Sequence, residues 1–190
     1  INNPGWTHKN AHFIKTNVRN YAEVEASFNK IKKEIGEHIE VLVNNAGLGY
    51  FGNLEEISLD QWHEMYETNV DGIFYCCKQV IADMKNRESG HIINISYPQV
   101  SAYCSTKWAV KGLSEALYKE CRDHRVKVTC VYPGSVKTDF FRNSPGIKAH
   151  DYMLMPDDVA QVIIQQIEMP TNFHTVNLEI RPLQPKGPKK

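Results

Sequence analysis

The chain is expected to fold as a single α/β domain built on a doubly wound parallel sheet. Two observations carry this expectation. Short β-branched or apolar runs alternate with longer stretches whose apolar residues recur at helical spacing. Sharp turns of Asn, Gly or Pro follow two of the runs, as they do where a parallel sheet gathers the carboxyl ends of its strands. Strand, helix, strand in this order builds right-handed crossovers, which leave the strands parallel.

In chain order, "AHFIK" (11–15) is the first strand candidate. Val24, Phe28, Ile31 and Ile35 then recur at i, i+4, i+7 and i+11, one face of a helix. "VLV" (41–43) is the next strand. Ser58 with Gln61 three residues on forms a capping box. It opens one long helix through Trp62, Met65, Ile73, Val80 and Met84. "HIINI" (91–95) and "VKVTCVY" (126–132) are strands on either side of a helix over about 101–123. A last helix starts at Pro156, with Asp157 and Asp158 at the positive end of its dipole, and "VNLEI" (176–180) closes the series. Residues 1–190 make one domain, with 183–190 a loose basic tail.

Composition narrows the function. With 190 residues, 42% hydrophobic and 23% charged, there is apolar material for a sizeable core. Lys+Arg and Asp+Glu balance at 22 each, so no net field draws phosphate backbones or anionic lipid, and neither a nucleic acid nor a membrane is expected as partner. No apolar run approaches the roughly 18 residues of a membrane span. The five cysteines include no C-x-x-C pair, which fits a reduced, cytoplasmic setting. His8 and His12 are four apart in a stretch that does not read as a helix, and no metal site is expected.

Four motifs invite chemistry. Gly47, Gly49 and Gly52 in "GLGYFG" match G-x-G-x-x-G after a strand. A phosphate-binding turn must run straight into a helix, whereas the helix here is capped only at Ser58, so the match reads as a decoy. Tyr103 and Lys107 share one helical face at i and i+4. One such pair is expected by chance, and its weight comes from its place directly after "HIINI", at the ligand-binding edge of the sheet. "VLVNNAG" turns sharply at Asn44, Asn45, Ala46 and Gly47, either as a plain turn or as a binding one. In "YPGSVKTD", Pro133 and Gly134 end a strand at that same edge.

The ordered set "NNAG", "ETNVDGIF", "YCSTK" and "PGSVKT" resembles the short-chain dehydrogenase/reductase family, from about Asn17 to Ile180. The resemblance implies a Rossmann-like sheet and an NAD- or NADP-dependent oxidoreductase acting on a small carbonyl or secondary alcohol. It implies that Asn45, Ala46 and Gly47 line the adenosine and ribose region, and that Asn17 stands where the family usually has an Asp touching adenine. Asn69 would hold a water in a proton relay. Tyr103 would be the acid/base and Lys107 its electrostatic partner. Pro133 and Gly134 would border the cofactor, with the Val136 backbone and the Thr138 hydroxyl on the nicotinamide amide. Chemistry makes independent sense of the pair, since a cation within about 4–6 Å favours ionised tyrosine.

The chain departs from the family pattern twice. The family's serine lies roughly thirteen residues before the tyrosine, whereas Ser96 precedes Tyr103 by seven. "HIINIS" falls one place short of the serine and Pro98 fits the far flank, so about seven residues are missing between Ser96 and Tyr97 relative to the pattern; Ser101 and Ser105 are poor substitutes. The opening strand with its glycine-rich turn is also absent, which leaves "AHFIK" without a neighbour and "VLV" with unpaired backbone. The two readings are therefore a working carbonyl reductase and an inactive relative kept for binding or scaffolding. Leu48, Tyr50, Phe140 and Phe141 suggest an apolar substrate wall, with 141–155 as its lid. A homodimer or homotetramer is implied through the helix at 59–85, with Phe74, Cys76 and Cys77 as added apolar surface.

Overall fold

The computed structural model describes residues 8–96, 101–140 and 149–185, with the Ser101 side chain excepted. Four parallel strands form one sheet in the order β1 (Val41–Asn44), β2 (Gly90–Ile95), β3 (Val126–Pro133) and β4 (Asn177–Ile180). The helices are α1 (Tyr21–Glu34), α2 (Leu59–Tyr66), α3 (Gly72–Arg87), α4 (Ser101–Cys121) and α5 (Pro156–Glu168). The Ser58–Gln61 capping box forms as the sequence predicts, and Pro156 stands in the first turn of α5.

The main core lies between α1, α3 and α4 and one face of the sheet. Val24 and Phe28 of α1, Ile73, Val80 and Met84 of α3, and Val110 of α4 meet Ile92 and Val128 there. On the strands, period-2 alternation sends Leu42, Ile92 and Val128 to this core, while Val43 and Ile95 line a cavity with α5. Val43 stays 39% exposed.

"AHFIK" is not a strand. The segment is irregular: among the described residues no strand stands beside it to pair its backbone, and such a run cannot be a strand alone. It leads instead into a turn in which Val18 packs on Gly72, 3.1 Å from where a Cβ would stand. The predicted long helix runs from Leu59 to Arg87 but is not α-helical throughout. A π-helical turn, Glu67–Asp71, separates α2 from α3. Cys77 does not add outer surface to α3 but packs into the core, and Cys76 packs against it, leaving Phe74 exposed. No helix among the described residues is long and apolar enough to cross a membrane. All five cysteines are free thiols.

At the far end of the sheet from the Asn and Pro turns, His91 is buried and its Nε2–H donates to Thr129 Oγ1 (2.8 Å), which donates to Thr175 O (2.7 Å). Burial, aided by His174 and Lys127, pushes His91 down to about 4. Its folded value lies below the unfolded one, so its contribution to stability is whole above about pH 6.5 and is lost as pH falls towards 4, by roughly 2–3 kcal/mol. Urea midpoints of wild type and His91→Gln should therefore converge between pH 7 and 4.5. An unchanged gap between the two would refute the assignment.

Candidate active site

β1, β2 and β3 end at one edge, and the turns that follow them frame a cavity of about 510 Å³. Asn45 and Gly47 come from the first turn, Ser96 from the second, Pro133, Gly134, Val136 and Thr138 from the third. Tyr103 and Lys107 of α4 line the same cavity. Of the predicted site residues, these eight of Asn45 to Thr138 thus share one wall system, with Asn69 directly behind it.

Tyr103 is 4% and Lys107 5% exposed. Lys107 Nζ lies 5.5 Å from the centre of the Tyr103 ring and donates to Ile95 O at 3.2 Å. No carboxylate pairs with Lys107 among the described residues, and burial lowers its pKa to about 8. Ser96 is buried and donates from Oγ to Lys107 O (2.9 Å), a second tie between β2 and α4. Its hydroxyl is thereby committed to the backbone, in keeping with the sequence spacing that denies it the family's serine position. Ser105 Oγ donates to Ala102 O and accepts from Tyr66, so it too is engaged within and beside the helix. Tyr97 and Pro98, which bound the shortened connection, lie outside the described residues, as do Phe141 and most of the expected lid.

Asn69 explains the π-turn. The extra residue in that turn points its amide inwards, where it is fully buried. Oδ1 accepts from Leu48 N and Nδ2 donates to Leu48 O, both at 2.8 Å, so the side chain clamps the turn after β1 as a strand would. Nδ2 also donates to Thr106 Oγ1 (3.0 Å), whose hydroxyl donates to Tyr103 O (2.8 Å). Thr106 therefore connects the clamp to the tyrosine's own backbone. The sequence reading missed it; a hydroxyl three residues after the tyrosine, able to bond back along the helix, was the available signal.

Gly47 lies beside Lys107 on the cavity wall, with room for ordinary contact. A Cβ there would stand 3.6 Å from Asn69 Oδ1 and 3.8 Å from both Lys107 Nζ and a Phe140 ring carbon. After β3, Gly134 N donates to Ile180 O, Lys137 N to Leu154 O and Leu154 N to Ser135 O, which pin the Val136 turn to β4 and to the start of α5. Two predicted positions fall elsewhere. Ala46 is exposed and does not line the cavity, and Asn17 sits on the exposed turn before α1, where its Oδ1 accepts from Arg19 N. The loop after Gly47 runs through Leu54–Glu56 before α2 begins at Leu59, so the glycines of "GLGYFG" do not open a helix. The α5 residues Val159 and Ile163 add an apolar wall that the sequence reading did not assign.

The short chain dehydrogenase family model matches residues 2–146. A sepiapterin reductase from Chlorobaculum tepidum is 30% identical over 176 residues, covering 89% of this chain and 71% of the relative. Among solved structures, an alcohol dehydrogenase from the archaeon Thermococcus sibiricus, complexed with 5-hydroxy-NADP, superposes with a TM-score of 0.80 at 29% identity, over 92% of this chain and 75% of that one. A serine dehydrogenase complexed with NADP+ gives 0.79 at 28% identity, over 90% and 75%. Agreement of this extent, in a sheet of this order and connectivity, makes the chain a member of the short-chain dehydrogenase/reductase family of oxidoreductases.

Proposed function

We propose that the chain is an NAD(P)-dependent reductase or dehydrogenase that transfers a hydride between the nicotinamide and a carbonyl or secondary alcohol substrate, with Tyr103 as the proton donor and acceptor. The observation that carries this reading is the buried Tyr103–Lys107 pair on the wall of the cavity. A buried lysine with a carbonyl for its partner and no paired carboxylate is a cation held for something that enters the cavity. The fit of a dinucleotide rests on two turns: that of Gly47, whose backbone lies beside Lys107 and Asn69, and the pinned Val136 turn with its exposed Thr138.

When bound, the nicotinamide supplies or accepts the hydride. Tyr103 gives its phenolic proton to the carbonyl oxygen in reduction and takes it back in oxidation. Lys107, while protonated, lowers the cost of the phenolate left behind. Asn69 and Thr106 hold the turn after β1 at a fixed place relative to that phenol. Val136 and Thr138 would carry the nicotinamide amide and Asn45 the ribose side, whereas Ala46 and Asn17 would meet the adenosine only outside the cavity, on the exposed surface.

A solution test needs only the purified protein. NADPH and NADH fluorescence should shift on titration with at least one of the two binding, and the bound form should be oxidised by members of a carbonyl panel. Binding without any oxidation would favour the binding or scaffold role, and absence of binding would overturn the reading. Association into a homodimer or homotetramer, through the exposed Phe74 of α3, belongs to the same proposal.

A further inference from the structure

From three rings that close on one another, we infer that the substrate is an uncharged carbonyl compound carrying a flat apolar group, of the aryl ketone or aromatic aldehyde type. The inference rests on the reductase reading and deepens it. The ring of Tyr103 packs against Phe51, with centres 5.1 Å apart, and against Phe140, 5.7 Å away, while Phe51 and Phe140 meet edge to face at 6.0 Å. Phe51 comes from the loop after β1 and Phe140 from the segment after β3, so two separate turns converge on the tyrosine. All three residues line the cavity.

The rings are held in place. Gly49 is buried, and a Cβ on it would lie 2.8 Å from Phe51 Cε2 and 3.0 Å from Phe140 Cζ, so the backbone there presses against both. Met65 and Ala102 back the cluster, with Trp62 and Ile57 beyond. A carbonyl that approaches Tyr103 must bring its substituent against this wall. A flat ring continues the tilted and edge-to-face contacts the three rings already make, whereas a hydroxylated or charged substituent loses water and gains no hydrogen bond from the two phenylalanine rings.

Charge points the same way. Among the described residues lining the cavity, Lys107 is the one cation and there is no carboxylate. Lys107 is engaged with Ile95 O and sits beside the Tyr103 ring, where a protonated side chain serves the phenol. A keto acid would need a second cation for its carboxylate, and an amino alcohol would need an anion for its ammonium. Neither stands in the described wall.

The test is a selectivity ratio. With whichever of NADPH and NADH the protein binds, kcat/KM is compared for acetophenone and benzaldehyde against pyruvate, 2-oxoglutarate and dihydroxyacetone. The aromatic compounds should lead by about thirty- to a hundredfold, which is what burying one ring is worth. Phe140→Ala and Phe51→Ala should each cut that ratio about tenfold, chiefly through KM, and Phe140→Tyr should keep it. A wild-type preference for the acids or the triose, or a ratio that Phe140→Ala does not move, overturns the inference while the reductase reading stands. If neither these compounds nor the wider carbonyl panel is turned over, the reductase reading fails and binding decides the rest. Saturation-transfer NMR with 1-phenylethanol that is positive for wild type and lost in Phe51→Ala and Phe140→Ala sustains the aromatic seat. No transfer to wild type overturns it.

Discussion

Replacing Tyr103 with phenylalanine is expected to lower kcat for carbonyl reduction by about 10²–10⁴-fold, the range that a positioned acid or base contributes. The fold should tolerate the change, because the contacts that hold this side chain with Phe51 and Phe140 are made by the ring, which the variant keeps. NADPH affinity should stay within a few-fold, since the Lys107 ammonium, Gly47 and the Val136 turn are untouched. The signature is thus a loss in kcat with little change in cofactor binding, measured by stopped-flow oxidation of NADPH beside a fluorescence titration. Retention of more than about a tenth of the wild-type rate would remove Tyr103 from the chemistry, and a general acid would have to be sought elsewhere on the cavity wall.

A second large effect is expected on stability. Asn94 is fully buried in β2, opposite Asn44 in the β1 register. Its Oδ1 accepts from Asn44 Nδ2 (2.8 Å) and its Nδ2 donates to Ser114 Oγ (2.9 Å), which donates to Val110 O (2.7 Å). The three polar side chains form one path from the edge strand through the core to α4. Asn94→Ala leaves the Asn44 amide with only a 3.4 Å contact to Cys77 Sγ, leaves Ser114 with only the weak Cys130 thiol beside it as donor and opens a small void. Each buried group so abandoned costs about 1–3 kcal/mol, and the sum should be near 3–4 kcal/mol. For a chain of this size that is a fall in Tm of about 8–14 °C. Asn94→Ala and Asn44→Ala should also be strongly non-additive, because either one breaks the same bond. A loss below about 1 kcal/mol, or simple additivity, would show that the path is not stabilising.

Much of this architecture was legible in the residues. Strands β2 and β3 announced themselves by continuous β-branched runs, and α1 and α5 by their apolar spacing and first-turn residues. The Tyr103–Lys107 pair and the turns after β1 and β3 were placed correctly at one edge of the sheet. What was not legible depended on neighbours. "AHFIK" has the composition of a strand, but pairing is a property of what lies beside it, and among the described residues no strand does. The π-turn leaves no mark because apolar residues on either side of it keep helical spacing. Cys77, four after Ile73 and three before Val80, lies on the core stripe itself, so its place was legible in the spacing and was misread as outer surface. Thr106, Asn94 and Ser114 are ordinary polar residues until folding removes water from them, and only then must each find a partner.

The π-turn at Glu67–Asp71 also fixes the permitted length of the chain at that point. Removing one residue there would let the backbone run on as an unbroken α-helix, which is the better hydrogen-bonded form locally, yet it would rotate everything before it by about 100° relative to α3. Glu64, which takes both Tyr50 and Arg19, and Met65, which underlies the aromatic cluster, would then face the wrong way. Substitutions within the turn alter one side chain at a time, whereas an insertion or deletion there alters the phase of two helices at once. The spacing from Ser58 to Gly72 should accordingly resist length variation far more strictly than the identities of most residues within it.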